Sequence, residues 1–233
     1  MTSDVLSALD WWSEAGVDVL VDDQPRDWLA PPRAAVTTTI DAANAQAASK
    51  RPAIDSLEAI HALYAEDAIF GRPDGRLLPE GAVASGLMLI TDQPEAGDAE
   101  AGQLVAGEAG RLFDRMLAAI GRDRASIYLA AMTPARVPGG RPQAGALGRW
   151  TEIAHRHVDL AAPRMLLVLG DAASRAFLGM SLAEARGRVH QLNREGHNVP
   201  VIATFHPRFL LQQPARKADA WKDLRLLLEE LSR

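Results

Sequence analysis

The chain contains no cysteine among its 233 residues. Disulfide bonds, thiolate nucleophiles and thiolate-held zinc or iron–sulfur centres are therefore excluded. Of the six histidines, only His155 and His157 lie in a short spacing. A separation of two residues points their side chains to different faces of a helix. We therefore expect neither a metal site nor a cofactor.

Long apolar runs and an excess of positive charge are also missing. No segment reaches the roughly 20 apolar residues that a membrane-spanning helix needs. Residues 1–4 lack the basic start of a secretory signal, so we expect a cytoplasmic protein without membrane contact. The formal net charge is -5. Nucleic acid would therefore need a local basic face. We further expect a monomer.

Three segments differ in composition along the chain. Residues 1–30 predict an N-terminal helical arm that carries the pair Trp11 and Trp12. Residues 31–53 begin with two prolines and are rich in Ala, Thr, Asn and Ser, which predicts a flexible linker. Residues 54–233 then show regular apolar patterning. They predict a single α/β domain.

Four short apolar runs recur in this domain, at residues 87–90, 127–131, 165–169 and 201–205. Such runs with little polar alternation are typical of strands covered on both faces. Helical patterns separate or follow them at 110–120, 149–160, 171–178 and 214–231. This alternation predicts a three-layer α/β/α fold around a central, mainly parallel four-stranded sheet. Ligands bind such sheets at the carboxyl ends of the strands, in loops that begin here at Thr91, Met132, Gly170 and His206.

Several motifs at these ends occur in a recognisable order. Residues 91–95 read Thr-Asp-Gln-Pro-Glu, and residues 107–117 read Gly-Glu-Ala-Gly-Arg-Leu-Phe-Asp-Arg-Met-Leu. Residues 136–139 read Arg-Val-Pro-Gly, and residues 203–211 read Ala-Thr-Phe-His-Pro-Arg-Phe-Leu-Leu. In this order they resemble the motifs of the bacterial family 4 uracil-DNA glycosylases. The resemblance extends over roughly residues 54–230.

The resemblance implies an enzyme of DNA repair that hydrolyses the base–deoxyribose N-glycosidic bond of a flipped, damaged base. Asp92 takes the place of the family's glutamate, which would position water and favour a cationic sugar. His206 matches the family's histidine, which would stabilise the leaving base. Asp92 and His206 are thus the predicted catalytic residues. The implied partner is single- or double-stranded DNA.

The loop after His206 carries the predicted DNA contacts. Arg208 lies where it could touch a phosphate, with Phe209 beside it. Leu210 and Leu211 match the part of the family's loop that wedges into the duplex. The same two leucines could instead be plain core residues.

The predicted base pocket departs from the family pattern. Its four residues are Gln93, Pro94, Val105 and Ala131. Val105 replaces the family's base-stacking phenylalanine, and Ala131 replaces the asparagine that pairs with uracil. Each loss removes about 1–3 kcal/mol of base binding or discrimination. Thr91 and Glu95 also replace two glycines, so we expect weakened or altered activity.

Other interpretations stay open at this point. Asp92 could cap a turn, and His206 could be an ordinary loop histidine. The chain could then be a catalytically degenerate DNA- or protein-binding module of the same fold. It could also be a small-molecule hydrolase or ligand-binding protein in which Val105 and Ala131 enlarge an apolar pocket.

Overall fold

A computed structural model describes residues 54–137, 145–194 and 197–232. By its contacts the chain divides into two units, and the described residues belong to the second, Ala53–Arg233. The predicted helical arm (1–30) and linker (31–53) lie outside the described residues. So do Pro138 and Gly139 of the Arg-Val-Pro-Gly motif.

The second unit alternates strands and helices. The strands are β1 (Glu80–Gly81), β2 (Leu87–Thr91), β3 (Tyr128–Ala131), β4 (Met165–Leu169), β5 (His190–Arg194) and β6 (His197–Thr204). The helices are α1 (Leu57–Glu66), α2 (Asp98–Ala101), α3 (Gly107–Ala119), α4 (Ala146–Ala161), α5 (Asp171–Leu178), α6 (Leu182–Ala185), α7 (Pro207–Gln212) and α8 (Lys217–Leu231). None of the helices in the described ranges combines the length and apolar character that crossing a bilayer requires.

The strands form one mixed sheet in the order β1-β3-β2-β4-β6-β5. The four predicted strands are its centre and pair in parallel. The predicted count of four needs correction, because β1 and β5 add antiparallel edges. The two edge strands contain no apolar run that would predict them from the sequence. β1 has two residues, and β5 reads His-Gln-Leu-Asn-Arg with only Leu192 buried. The prediction of an α/β fold with a mainly parallel sheet centre is confirmed.

Alternate residues of each central strand face opposite layers of helices. In β2, Leu87 and Leu89 join a core cluster with residues of α3 and α8. Met88 and Ile90 join another cluster with residues of α4 and α5. Both faces of the sheet are therefore covered, which explains why the sequence shows no polar alternation in these runs. The helix α1 packs outside α4 through a smaller cluster that contains Tyr64 and Trp150.

The parallel register brings the carboxyl ends of the four central strands to one edge. Thr91 pairs with Ala131, and Leu169 pairs with Thr204. The residues that follow each strand therefore meet at that edge, as the sequence predicts.

One close packing contact, at Gly110 in α3, leads to a stability prediction. A Cβ added to Gly110 would lie 2.4 Å from the carbonyl oxygen of Val105, which also accepts a 2.7 Å bond from Arg124. We expect Gly110→Ala to lower the free energy of unfolding by about 1–3 kcal/mol, because bonded backbone has to move. Denaturant unfolding followed by tryptophan fluorescence measures this.

Gly148 in α4 provides the matched control for Gly110. A Cβ at this position meets no atom within 4 Å. Gly148→Ala should therefore raise the free energy of unfolding by about 0.5–1 kcal/mol, the usual gain of alanine in a helix. Equal effects of the two substitutions would contradict the close contact at Gly110.

Candidate active site

Sequence analysis singled out two turns, and residues of both turns line the same cleft. Asp92 follows β2, and His206 follows β6 at the amino end of α7. Both side chains border a cavity of about 600 Å³, here called the main cleft. Its other lining residues are Gly170, Asp171, Ala172, Leu182, Ala183, Arg186, Phe205, Arg208, Phe209 and Arg216. The predicted carboxylate and imidazole are thus brought together.

Asp92 is held at the junction of two cavities. The Thr91 hydroxyl donates to Asp92 Oδ1 at 3.2 Å, and the backbone carbonyl of Asp92 accepts the Thr133 N–H at 3.2 Å. Besides the main cleft, Asp92 borders a second cavity of about 230 Å³, here called the side cavity. Gln93 also lines the side cavity, where its Oε1 accepts the Val137 N–H at 2.9 Å.

His206 is buried, with 6% of its surface exposed. Its Nδ1 accepts the backbone N–H of Arg208 at 3.2 Å, which caps α7 and assigns the ring proton to Nε2. Burial lowers the pKa of His206 to about 4, although the charge of Asp92 acts in the opposite direction. The imidazole is therefore neutral at pH 7. Its Nε2 has no hydrogen-bond partner among the described residues, so one donor is left for a ligand.

Glu95 connects the two turns. Its Oε2 lies 2.5 Å from Arg208 Nη1, and its Oε1 lies 3.6 Å from His206 Nδ1. Only 11% of the Glu95 side chain is exposed, against 50% for Arg208. Burial raises the pKa of Glu95, and the neighbouring Arg208 acts against that rise. The guanidinium predicted to meet a phosphate is therefore bound by a carboxylate of the same chain.

Asp98 fixes the segment between Asp92 and α3, a role that sequence analysis did not predict. This buried carboxylate accepts the backbone N–H groups of Glu95, Val105 and Ala106 at 2.7–2.8 Å. Three such bonds satisfy a charge that would otherwise be costly to bury. Asp98 begins the short helix α2, and its partners lie three to eight positions away, so no residue spacing in the sequence identifies this role.

Two of the predicted pocket residues are packed in the core. Val105 is 1% exposed and Ala131 is 2% exposed, and both belong to the cluster beneath α3 and α8. Val105 also has a positive φ of 52°, which is unusual for a β-branched residue. Bonds from its N–H to Asp98 and from Arg124 to its carbonyl oxygen hold this conformation. Pro94 is buried as well.

The four predicted DNA-contact residues divide into two groups. Arg208 and Phe209 are exposed and line the main cleft. Leu210 is 1% exposed and packs with Leu112 and Ala220, and Leu211 is half-buried. The placement of Leu210 matches the core alternative that the sequence left open.

Three residues beside the predicted DNA contact Phe209 were not predicted as site residues, namely Phe205, Arg186 and Asp223. The rings of Phe205 and Phe209 stack at 5.1 Å with 14° between their planes. The Arg186 guanidinium lies 4.3 Å from the centre of the Phe205 ring. Arg186 is held by the buried carboxylate of Asp223, which accepts from its Nε at 3.1 Å and its Nη2 at 2.8 Å. These contacts join residues up to 37 positions apart, so local sequence patterns could not reveal them.

The described residues offer no obvious metal site. Within residues 54–137, 145–194 and 197–232, no three His, Asp or Glu side chains form a group that could hold a metal ion.

The stretch of chain that contains both turns is similar to known proteins. A family model described as "Uracil DNA glycosylase superfamily" matches residues 78–225. The type-4 uracil-DNA glycosylase of Pyrobaculum aerophilum is 26% identical over 152 residues, which cover 62% of this chain and 78% of the relative. The proteins of the same name from Archaeoglobus fulgidus and Saccharolobus solfataricus are 24% and 26% identical. The matches cover 61% and 66% of this chain, and 75% and 74% of those relatives.

Proposed function

Because the chain belongs to the uracil DNA glycosylase superfamily, we propose that it hydrolyses the base–deoxyribose N-glycosidic bond of a flipped, damaged base in DNA. The observation that carries this proposal is that Asp92 and His206 line one cleft and that the buried Nε2 of His206 has no partner among the described residues. The relatives' names supply the substrate class, uracil-containing DNA. A cytoplasmic location, a monomeric state and the division into arm, linker and domain stay predictions.

In this proposal Asp92 acts on the sugar side of the bond. Its carboxylate stabilises positive charge that develops on the deoxyribose as the bond from C1′ to the base nitrogen breaks. It also orients a water whose oxygen bonds to C1′ and whose proton passes through the carboxylate to solvent. The bond from Thr91 to Oδ1 restricts the rotation of the carboxylate.

His206 acts on the base side. The electron pair of the broken bond moves onto the base, which leaves as an anion and later takes a proton from solvent. The Nε2–H donates to the carbonyl oxygen where that negative charge collects. A neutral imidazole suits this task, because it keeps the Nε2 proton through the reaction. The low pKa of His206 ensures the neutral form at working pH.

Glu95 modifies how DNA reaches the site. A phosphate that binds Arg208 has to replace the Glu95 carboxylate. The released carboxylate then lies near His206 and Asp92 and weakens the attraction of DNA. We therefore expect weaker DNA binding than the exposed arginines alone would provide.

A second candidate function is DNA binding without cleavage. It is supported by the core packing of Val105 and Ala131, the positions that the resemblance assigns to the base.

Two measurements on one set of oligonucleotides test these candidates. We expect single-turnover base release, above an enzyme-free blank, from at least one single strand in a panel that carries uracil and other damaged bases. We also expect affinity to fall about sevenfold between 50 and 200 mM salt if Arg208 and Arg216 engage two phosphates of a single strand.

The outcomes separate the two candidates. Binding with this salt dependence but no release from any strand would favour the binding module. An absence of binding at low salt would contradict both candidates.

A further inference from the structure

The Phe205–Phe209 stack presents an exposed aromatic ring to the main cleft. Phe209 is 38% exposed, and exposed aromatic rings of this size are uncommon among the described residues. Its ring stacks nearly parallel on the Phe205 ring, and Phe209 is the more exposed ring of the pair. Bases stack readily on exposed aromatic rings, and stacking does not depend on base identity.

Arg186 contacts the Phe205 ring of the stack and is itself bound by a buried carboxylate. Asp223, fully buried in α8, accepts bonds from Arg186, from the Thr204 hydroxyl at 2.9 Å and from the Gly187 N–H at 3.2 Å. These bonds place the Arg186 guanidinium against the Phe205 ring. A surface that is already ordered loses little entropy when a ligand stacks on it.

Charges around the main cleft suit a nucleotide. The exposed guanidinium groups of Arg208 and Arg216 line it, with side chains 50% and 58% exposed. The cavity of about 600 Å³ lies within the usual range for small-molecule sites. The two predicted catalytic groups border the same space.

Among the positions that the resemblance assigns to base binding, Val105 and Ala131 offer no space, and Gln93 lines only the smaller side cavity. Val105 and Ala131 are almost fully buried among core residues such as Leu104 and Phe113. A base could reach them only if the core opened, which close packing makes costly. A base therefore reaches Asp92 and His206 through the main cleft, on the side of Phe209.

We propose that the main cleft is the base-binding site of this chain, in which an unpaired nucleobase of DNA stacks on Phe209 beside Asp92 and His206. This inference rests on the proposed function and deepens it. Phe209 takes over the stacking role that Val105 cannot perform, and Arg208 and Arg216 contact the flanking phosphates. Phe205, Arg186 and Asp223 are positioning residues.

The test compares two single strands that differ only in the presence of the base. One strand carries 2′-fluoro-2′-deoxyuridine, in which the fluorine makes the glycosidic bond resistant to cleavage. The other strand carries a tetrahydrofuran abasic unit at that position. With the full chain we expect about 5- to 150-fold tighter binding of the strand with the base, the effect of one stacked base. Phe209→Ala should bind the two strands within about twofold of each other, while Phe209→Trp should keep the preference.

Leu147→Ala is the matched control. Leu147 is an exposed apolar residue, 56% accessible, that lines the side cavity on the other flank of Asp92. We expect this variant to keep the preference for the strand with the base. Circular dichroism melting of each variant shows whether its fold is retained.

Each other outcome has a defined meaning. Persistence of the preference in Phe209→Ala, or its loss in Leu147→Ala, would place the base elsewhere and overturn the inference. Equal binding of the two strands by the unmodified chain would overturn it too, while leaving DNA binding intact. Failure of both strands to bind at low salt would remove the proposed function itself.

Discussion

Replacing Asp92 with asparagine should lower the single-turnover rate of base release by about 10²- to 10⁴-fold, the usual contribution of a positioned acid–base group. Asparagine has nearly the same shape, and its amide oxygen can still accept the Thr91 hydroxyl. The substitution therefore removes the negative charge with little change in packing. Rates measured at saturating enzyme report the chemical step instead of binding.

Asp171 supplies the matched control for Asp92. It also lines the main cleft, but its carboxylate is bound to Arg175 at 2.8 Å and to the Leu182 N–H at 2.8 Å. Asp171→Asn should change the rate by no more than about threefold, since only a general charge effect is lost. Similar losses in both variants would show that Asp92 matters only through the electrostatic potential of the cleft. An unchanged rate in Asp92→Asn would exclude it from the mechanism.

Two substitutions of His206 should separate its two hydrogen bonds. Asparagine can replace Nδ1 as the acceptor for the Arg208 N–H, but it has no group at the position of Nε2. Glutamine reaches the position of Nε2 with an amide donor, but it caps the helix poorly. We expect His206→Asn to lower the rate of base release by about 10²- to 10³-fold, the cost of one lost donor to a developing anion. His206→Gln should retain more of the rate, and the reverse order would contradict donation from Nε2.

The pH dependence provides a further test of the neutral imidazole. Because the pKa of His206 is lowered to about 4, its protonation state does not change between pH 5.5 and 8.5. The ratio of the unmodified rate to the His206→Asn rate should therefore stay constant over this range. Asp92, Asp98 and Arg208 set the charge around the ring and are present in both proteins. A ratio that falls as the pH rises would indicate a cationic His206.

The same pKa affects stability in a defined direction. The unfolded chain binds a proton at His206 near pH 6.5, whereas the folded chain binds it only near pH 4. The folded state is therefore increasingly destabilised as the pH falls from about 6.5 to 4. Loss of the histidine should make the free energy of unfolding less sensitive to acid. Part of the sensitivity should remain, since burial also lowers the pKa of His157 to about 3.

Sequence patterns predicted the centre of the sheet because burial on both faces leaves a continuous apolar run. The run at 165–169 coincides with β4, and the helix predicted at 171–178 coincides with α5. The edge strands escaped prediction because they bury few side chains. In β5 only Leu192 is buried, so its composition resembles that of a polar loop.

The candidate site was predictable in part. Asp92 and His206 could be identified because Asp92 directly follows β2, His206 lies two residues after the end of β6, and each lies in a recognisable motif. The bond between Glu95 and Arg208 joins residues 113 positions apart and could not be foreseen. The burial of Val105 depends on backbone bonds to Asp98 and Arg124, which no residue spacing indicates.

In the bond between Glu95 and Arg208, the Glu95 carboxylate acts as the counterion of an arginine that lines the main cleft. A polyanion that arrives there exchanges one ionic contact for another, so phosphate alone gains little free energy. Free phosphate, sugar phosphates without a base and the backbone of intact duplex are therefore poor competitors for this space. A ligand gains a net advantage only when it also offers a flat ring to Phe209. Selection at the entrance thus depends on ring stacking more than on charge.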